Sequence, residues 1–100
     1  MLTSEQSKIY REQGVVHLPG VLSTAELLTC REAFDWSIAH PGKGATRLIA
    51  GTPGTFYGDL ANPTCFSHYK AIADKTSIPQ IVSRLWQKPD VWFMYEQVFL

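Results

Sequence analysis

The last ten residues, Val91 to Leu100, constrain this chain more than any other stretch. β-Branched and aromatic side chains dominate them, and they follow the breaker pair Pro89-Asp90, which predicts a strand buried on both faces. Alternation sets Val91, Phe93, Tyr95, Gln97 and Phe99 on one side and Trp92, Met94, Glu96, Val98 and Leu100 on the other. Leaving Trp92, Phe93, Met94, Phe99 and Leu100 uncovered forfeits about 1.5–3 kcal/mol each, together roughly 7–15 kcal/mol, which is a whole domain's stability. Nothing upstream reads as a set of strands able to cover both sides. The expectation is a segment of a larger domain whose partner sheet lies in further sequence. The same edge offers self-association through residues 91–100.

The totals bound the class. With 45% hydrophobic residues in 100, the chain is of globular type and holds at most one domain. Nine basic and nine acidic residues balance to zero, with no block of either sign, so nucleic acid and anionic membrane surfaces are poor partners. The opening Met1-Leu2-Thr3-Ser4-Glu5-Gln6 lacks the pattern of an export signal, and no apolar run reaches membrane-spanning length. Cys30 and Cys65 form no CxxC pair, which predicts buried, reduced thiols and a cytoplasmic setting.

Local signals divide the remainder. Thr3 with Gln6, and Ser23 with Glu26, are capping boxes, predicting one helix that stops at Gly14 and another running to about Ala39. Leu27, Cys30, Phe34 and Ile38 make the predicted apolar face of the second, while Asp35 and Trp36 have no place in that stripe. Val15-Val16-His17-Leu18 reads as a short strand closed by Pro19-Gly20. Residues 41–58 hold five of the seven glycines and almost no periodicity, so they read as a binding loop or lid. Within it Thr52-Pro53-Gly54-Thr55 predicts a type II turn. Asn62-Pro63 opens a helix with Phe66, Tyr69, Ile72 and Ala73 inward. Ser77 opens another, with Ile78, Ile81, Val82, Leu85 and Trp86 as its stripe.

Chemistry-bearing patterns are sparse. His17, His40 and His68 belong to no H-x-D, H-x-E or HExxH, so a metal site from this chain alone is not expected. His17 reads as a hydrogen-bonded core histidine and His40 as a cation at a helix C-terminus. Gly42-Lys43-Gly44-Ala45-Thr46 fails as a phosphate loop, because no strand precedes it and no Ser or Thr follows the lysine. No base accompanies either cysteine, so nucleophilic catalysis has no support, and Asp35, Glu32, Asp59 and Asp90 read as surface carboxylates. Tyr57 either faces a pocket or packs under the loop. Gln97 either donates to a ligand carboxylate inside a barrel or is satisfied by a neighbouring strand. Glu96 reads as a structural partner to a cation outside this segment.

Several stretches together resemble the phytanoyl-CoA dioxygenase family across essentially the whole chain. They are Thr3-Ser4-Glu5-Gln6, Gly14-Val15-Val16-His17-Leu18-Pro19-Gly20-Val21-Leu22-Ser23, Asp35-Trp36-Ser37, His40-Pro41-Gly42, Gly51-Thr52-Pro53-Gly54-Thr55-Phe56-Tyr57 and Trp92-Phe93-Met94-Tyr95-Glu96-Gln97. The resemblance implies an α+β fold: the helical N-terminal portion of a double-stranded β-helix (jelly-roll) oxygenase, truncated at its first long core strand, with residues 1–100 as the first segment of one domain. It implies Fe(II) held by an H-x-D…H triad, 2-oxoglutarate as cosubstrate and hydroxylation of a small organic molecule. The triad has no counterpart in these residues, so neither iron nor cosubstrate is expected to bind this segment tightly. Two positions carry over: Gln97 at the cosubstrate pocket and Tyr57 near the substrate mouth. The alternative is a small non-enzymatic α+β binding or dimerisation module completed by a partner strand.

Overall fold

The structure, a computed structural model, describes residues 2–48, 54 and 56–100. Its element order is α1 (Ser4–Gln13), α2 (Thr24–Ala39), β1 (Thr46–Leu48), β2 (Phe56–Leu60), α3 (Phe66–Lys75), α4 (Ile78–Trp86) and β3 (Gln97–Phe99). The strands form one antiparallel sheet in the order β1-β2-β3. The fold class is α+β. No helix among the described residues is long and apolar enough to cross a membrane. The radius of gyration is 15.7 Å, against about 13 Å for a compact domain of this length.

The helix starts follow from short-range chemistry. Thr3 Oγ1 accepts from Gln6 N (3.1 Å) while Gln6 Oε1 accepts from Thr3 N (2.9 Å). Gly14 then ends α1 at φ +75°, a conformation that suits a residue without a Cβ. Glu26 completes the second capping box and reaches further: its carboxylate accepts from Ser23 N at 2.7 Å and from Ser77 N at 2.6 Å. One side chain thereby joins the starts of α2 and α4. The N–H of Ser23, followed by the hydroxyl and N–H of Ser77, lowers its carboxyl from 4.5 to about 2. Ser77 occupies the cap position of α4 but makes no side-chain cap bond; Thr76 Oγ1 accepts from Ile78 N instead.

The helix-packed core is built on small residues. Ala33 and Ser37 are the buried positions of α2, and Ser37 shares a 2.8 Å hydrogen bond with the hydroxyl of Tyr69 on α3. The predicted stripe is therefore rotated: Leu27 lies 55% exposed, because α3 approaches over the short side chains. Phe66, expected inward, is exposed and has its ring 6.2 Å from that of Phe93. Trp86 is likewise exposed, with its indole N–H donating to the Tyr10 hydroxyl (2.9 Å). Both cysteines are free; Cys65 is buried and Cys30 half-buried.

Three sequence expectations are corrected. Residues 15–18 form no strand, since no neighbour offers a ladder to them, and Val15 and His17 are exposed. The glycine-rich stretch is a hairpin, with Thr46 opposite Gly58 and Leu48 opposite Phe56. The turn expected at 52–55 falls outside the described residues, apart from Gly54. The long strand expected at 91–100 is ordered as β only at Gln97–Phe99. Its partner explains the limit. β2 turns away at Ala61 into a 3-10 turn, Pro63–Cys65, so residues before Glu96 have no strand to pair with. Nor are both faces buried: Val98 is covered, Gln97 and Phe99 are open, and Trp92 and Met94 stand 85% and 82% exposed.

Candidate functional site

The two faces of the sheet differ in kind. Register places Arg47, Tyr57, Asp59 and Val98 on the inner face, and Thr46, Phe56, Gly58, Leu60, Gln97 and Phe99 on the other. The second face is open. Phe56, Leu60 and Phe99 are exposed there, with the Phe56 and Phe99 rings 5.7 Å apart. Gly58 lies beneath them: a Cβ at that position would meet the Phe56 ring at 3.4 Å and the Phe99 ring at 3.9 Å.

Gln97 sits on this open face, opposite Leu60, and lines a shallow depression of about 220 Å³ with Thr46, Phe56, Gly58 and Leu60. The expectation of a buried, central-strand glutamine is corrected, since β3 is an edge strand in the described sheet and Gln97 is exposed. Its amide offers two N–H donors and a carbonyl in apolar surroundings, which suits a ligand that carries a carboxylate.

Tyr57 lies on the opposite face. It is 3% exposed, packed inward, with the Arg47 guanidinium 5.3 Å from its ring centroid. Burial, followed by the nearby Asp59 and Cys65, pushes its hydroxyl pKa up, with Arg47 opposing. The structure does not bring Tyr57 and Gln97 together: Tyr57 lies buried on the inner face, while Gln97 is on the open one. The Tyr57 hydroxyl is buried without a hydrogen-bond partner among the described residues. Tyr57→Phe should therefore raise stability by about 1 kcal/mol in urea denaturation, because it deletes an uncompensated polar group. A loss of stability would show that the hydroxyl has a partner.

Behind the sheet lies a polar knot that sequence reasoning missed. Asn62, 3% exposed, donates from Nδ2 to His40 O (2.7 Å) and Asp59 Oδ2 (3.1 Å), and its Oδ1 accepts from Thr64 N (3.1 Å) and Thr64 Oγ1 (2.8 Å). Asp59, expected as a surface carboxylate, is buried and accepts from Gly42 N (3.0 Å) and Leu60 N (2.9 Å). Glu96 Oε1 accepts from Asn62 N at 2.5 Å, a backbone partner within this chain that the sequence reading did not foresee.

An aromatic stack flanks the knot. The Trp36 ring lies 3.6 Å from that of His40 and 4.5 Å from that of His68, centroid to centroid, while its indole N–H donates to Thr64 O (3.1 Å). His40 takes the C-cap position of α2, and its Nδ1–H donates to Trp36 O (2.9 Å). That fixes Trp36, which the helical stripe left without a role. The only sequence signals for this region are the Asn62-Pro63 cap and the proline after His40.

A separate apolar groove of about 410 Å³ runs between α3, α4 and residues 91–95, lined by Ile72, Val82, Trp86, Trp92, Phe93 and Met94 among others. No group of three His, Cys, Asp or Glu side chains able to hold a metal ion occurs among the described residues. Comparison with protein-family models, with curated proteins and with solved structures finds no match to this chain.

Proposed function

We propose that this chain is the N-terminal part of a non-haem Fe(II)/2-oxoglutarate-dependent dioxygenase acting on a small organic substrate, and that its open sheet face is the cosubstrate wall. One observation carries the reading. An apolar sheet face, whose other side is buried at Tyr57, Asp59 and Val98, presents a single amide, Gln97, beside Thr46 in a depression. A barrel lumen needs such a wall: alternate residues line the cavity while the intervening ones anchor the strand to its surroundings.

The iron of such an enzyme finds no ligand set among the described residues. The contribution of this segment is accordingly the wall and the Gln97 amide, and no oxygen-activating step belongs to it. When bound, the metal would supply the redox chemistry, while Gln97 would orient a cosubstrate carboxylate by N–H donation.

The test is equilibrium binding of 2-oxoglutarate to the complete gene product containing these residues, loaded anaerobically with Fe(II). Binding should depend on iron, and Gln97→Leu should weaken it about tenfold or more, the effect of losing one hydrogen bond to a charged group. Iron-independent or absent binding, or an unchanged affinity in Gln97→Leu, would overturn the reading.

A second reading, a binding or dimerisation module completed by a partner strand, is favoured by the edge itself. Tyr57 and Leu100 exchange both backbone hydrogen bonds (2.8 and 2.9 Å), so alternation turns the N–H and C=O groups of Gln97 and Phe99 to the outer edge. No charged residue within β3 guards that edge. A dimer of the 100-residue chain by light scattering, with no iron-dependent cosubstrate binding in the complete gene product, would favour this alternative.

A further inference from the structure

The position of Gln97 on the open face depends on the register of a strand only three residues long, and the apolar pattern specifies that register weakly. A slip by one residue would exchange the faces, covering Gln97 and Phe99 while exposing Val98. Phe99 is at least as apolar as Val98, so burial alone does not reject the slipped pairing. Some other group must decide it.

We propose that Glu96 is the positioning residue that sets this register and so aims Gln97 into the depression. Its main chain and side chain act together on the corner where β2 ends. Glu96 O accepts from Ala61 N (3.1 Å), and Glu96 Oε1 accepts from Asn62 N (2.5 Å). Ala61 stands at φ +50°, a conformation that a residue with a Cβ holds only when its surroundings over-determine it. The far side of the corner is fixed as well. Asp59 Oδ1 accepts from the N–H of Leu60, the cross-strand partner of Gln97, and Asn62 Nδ2 donates to Asp59 Oδ2 and His40 O. Gln97 is thus held between Glu96, clasped to residues 61 and 62, and Leu60, clasped by Asp59. In a slipped register Glu96 would lose either the Ala61 or the Asn62 donor, leaving a backbone N–H of the corner without its acceptor.

The consequence for cosubstrate binding rests on the proposed oxygenase function; the register itself does not. The test compares wild type, Glu96→Ala, Glu96→Gln, Gln97→Leu and the double variant Glu96→Ala/Gln97→Leu in the complete gene product. In the metal-free protein, nuclear Overhauser effects between Leu60 and Gln97 should vanish in Glu96→Ala and persist in Glu96→Gln, whose amide oxygen still accepts. In the Fe(II) protein, Glu96→Ala should weaken 2-oxoglutarate binding about tenfold, and the double variant should bind no more weakly than Gln97→Leu, because Glu96 acts through Gln97. Ser23→Ala, which removes the α2 cap, serves as control: it lowers the melting temperature and leaves the affinity unchanged. Persistence of the Leu60–Gln97 effects in Glu96→Ala, or multiplying effects on affinity in the double variant, would overturn the proposal. If those Overhauser effects vanish in Glu96→Ala while Gln97→Leu binds cosubstrate as wild type does, the register assignment stands and the oxygenase reading falls.

Discussion

Asn62→Ala is expected to cost about 3 kcal/mol of folding stability in urea denaturation, with the slope unchanged. The side chain is buried, so water does not replace what it provides. Its loss strips Thr64 N and Thr64 Oγ1 of their acceptor and deprives His40 O and Asp59 Oδ2 of a donor. An unmet buried partner costs about 1–3 kcal/mol and an N-cap about 1 kcal/mol; the sum is reduced where water reaches Thr64, which is exposed. Set against the roughly 5–15 kcal/mol expected for a domain of this length, the change is a large one. It should lower the melting temperature by roughly 12–24 °C. A cost below about 1 kcal/mol would mean that Asn62 is an ordinary helix cap and that no knot exists.

The second large effect is expected at Gly42, where glycine is required by space rather than by backbone conformation. A Cβ there would stand 2.9 Å from Asn62 Cγ and 3.1 Å from both its Cβ and its Nδ2. Asn62 cannot turn aside without breaking its bonds to His40, Asp59 and Thr64, and Gly42 N is itself held by Asp59 Oδ2 at 3.0 Å. Gly42→Ala should therefore cost about 2 kcal/mol, in the range of overpacking in a fixed site. The diagnostic is its dependence on Asn62. In an Asn62→Ala background the obstructing amide is gone and only the Cβ contact at 3.1 Å remains, so the added cost of Gly42→Ala should fall by about half, to roughly 1 kcal/mol. A double-mutant cycle in denaturant measures that coupling. Additive costs would place the strain elsewhere.

What is legible in the sequence is local. The pairs Thr3/Gln6 and Ser23/Glu26 locate helix starts because a capping box needs only residues three apart, and Gly14 and Asn62-Pro63 mark boundaries for the same reason. Pairing is not legible. Residues 91–95 have strand-forming side chains but no strand partner among the described residues, and residues 46–48 and 56–60 pair despite the glycines that surround them. β-Propensity describes fitness for a pleated surface, and whether that surface exists depends on distant chain.

The site divides in the same way. Alternation alone puts Glu96 and Gln97 on opposite faces, and the two do diverge: one toward Asn62, the other into the open depression. Alternation does not say which face is covered, so Gln97, expected inside, lies outside. Asp59 resembles a surface carboxylate in sequence because its partner Gly42 lies seventeen residues away and reaches it only in the folded chain, with Asn62 closing the cluster. A place in a glycine-rich stretch leaves Tyr57 either facing a pocket or packed under the loop, and the register of β2 turns it inward.

Amide hydrogen exchange across β3 tests most directly whether this sheet is one wall of a larger structure. In the monomeric 100-residue chain, Val98 N–H, which the register turns toward Asp59, should exchange slowly, while Gln97 and Phe99 N–H on the outer edge should exchange at nearly the free rate. In the complete gene product all three should be protected by the strand that completes the wall. Slow exchange of Gln97 and Phe99 in the monomer would contradict the account, because the edge would then already be covered by the chain itself.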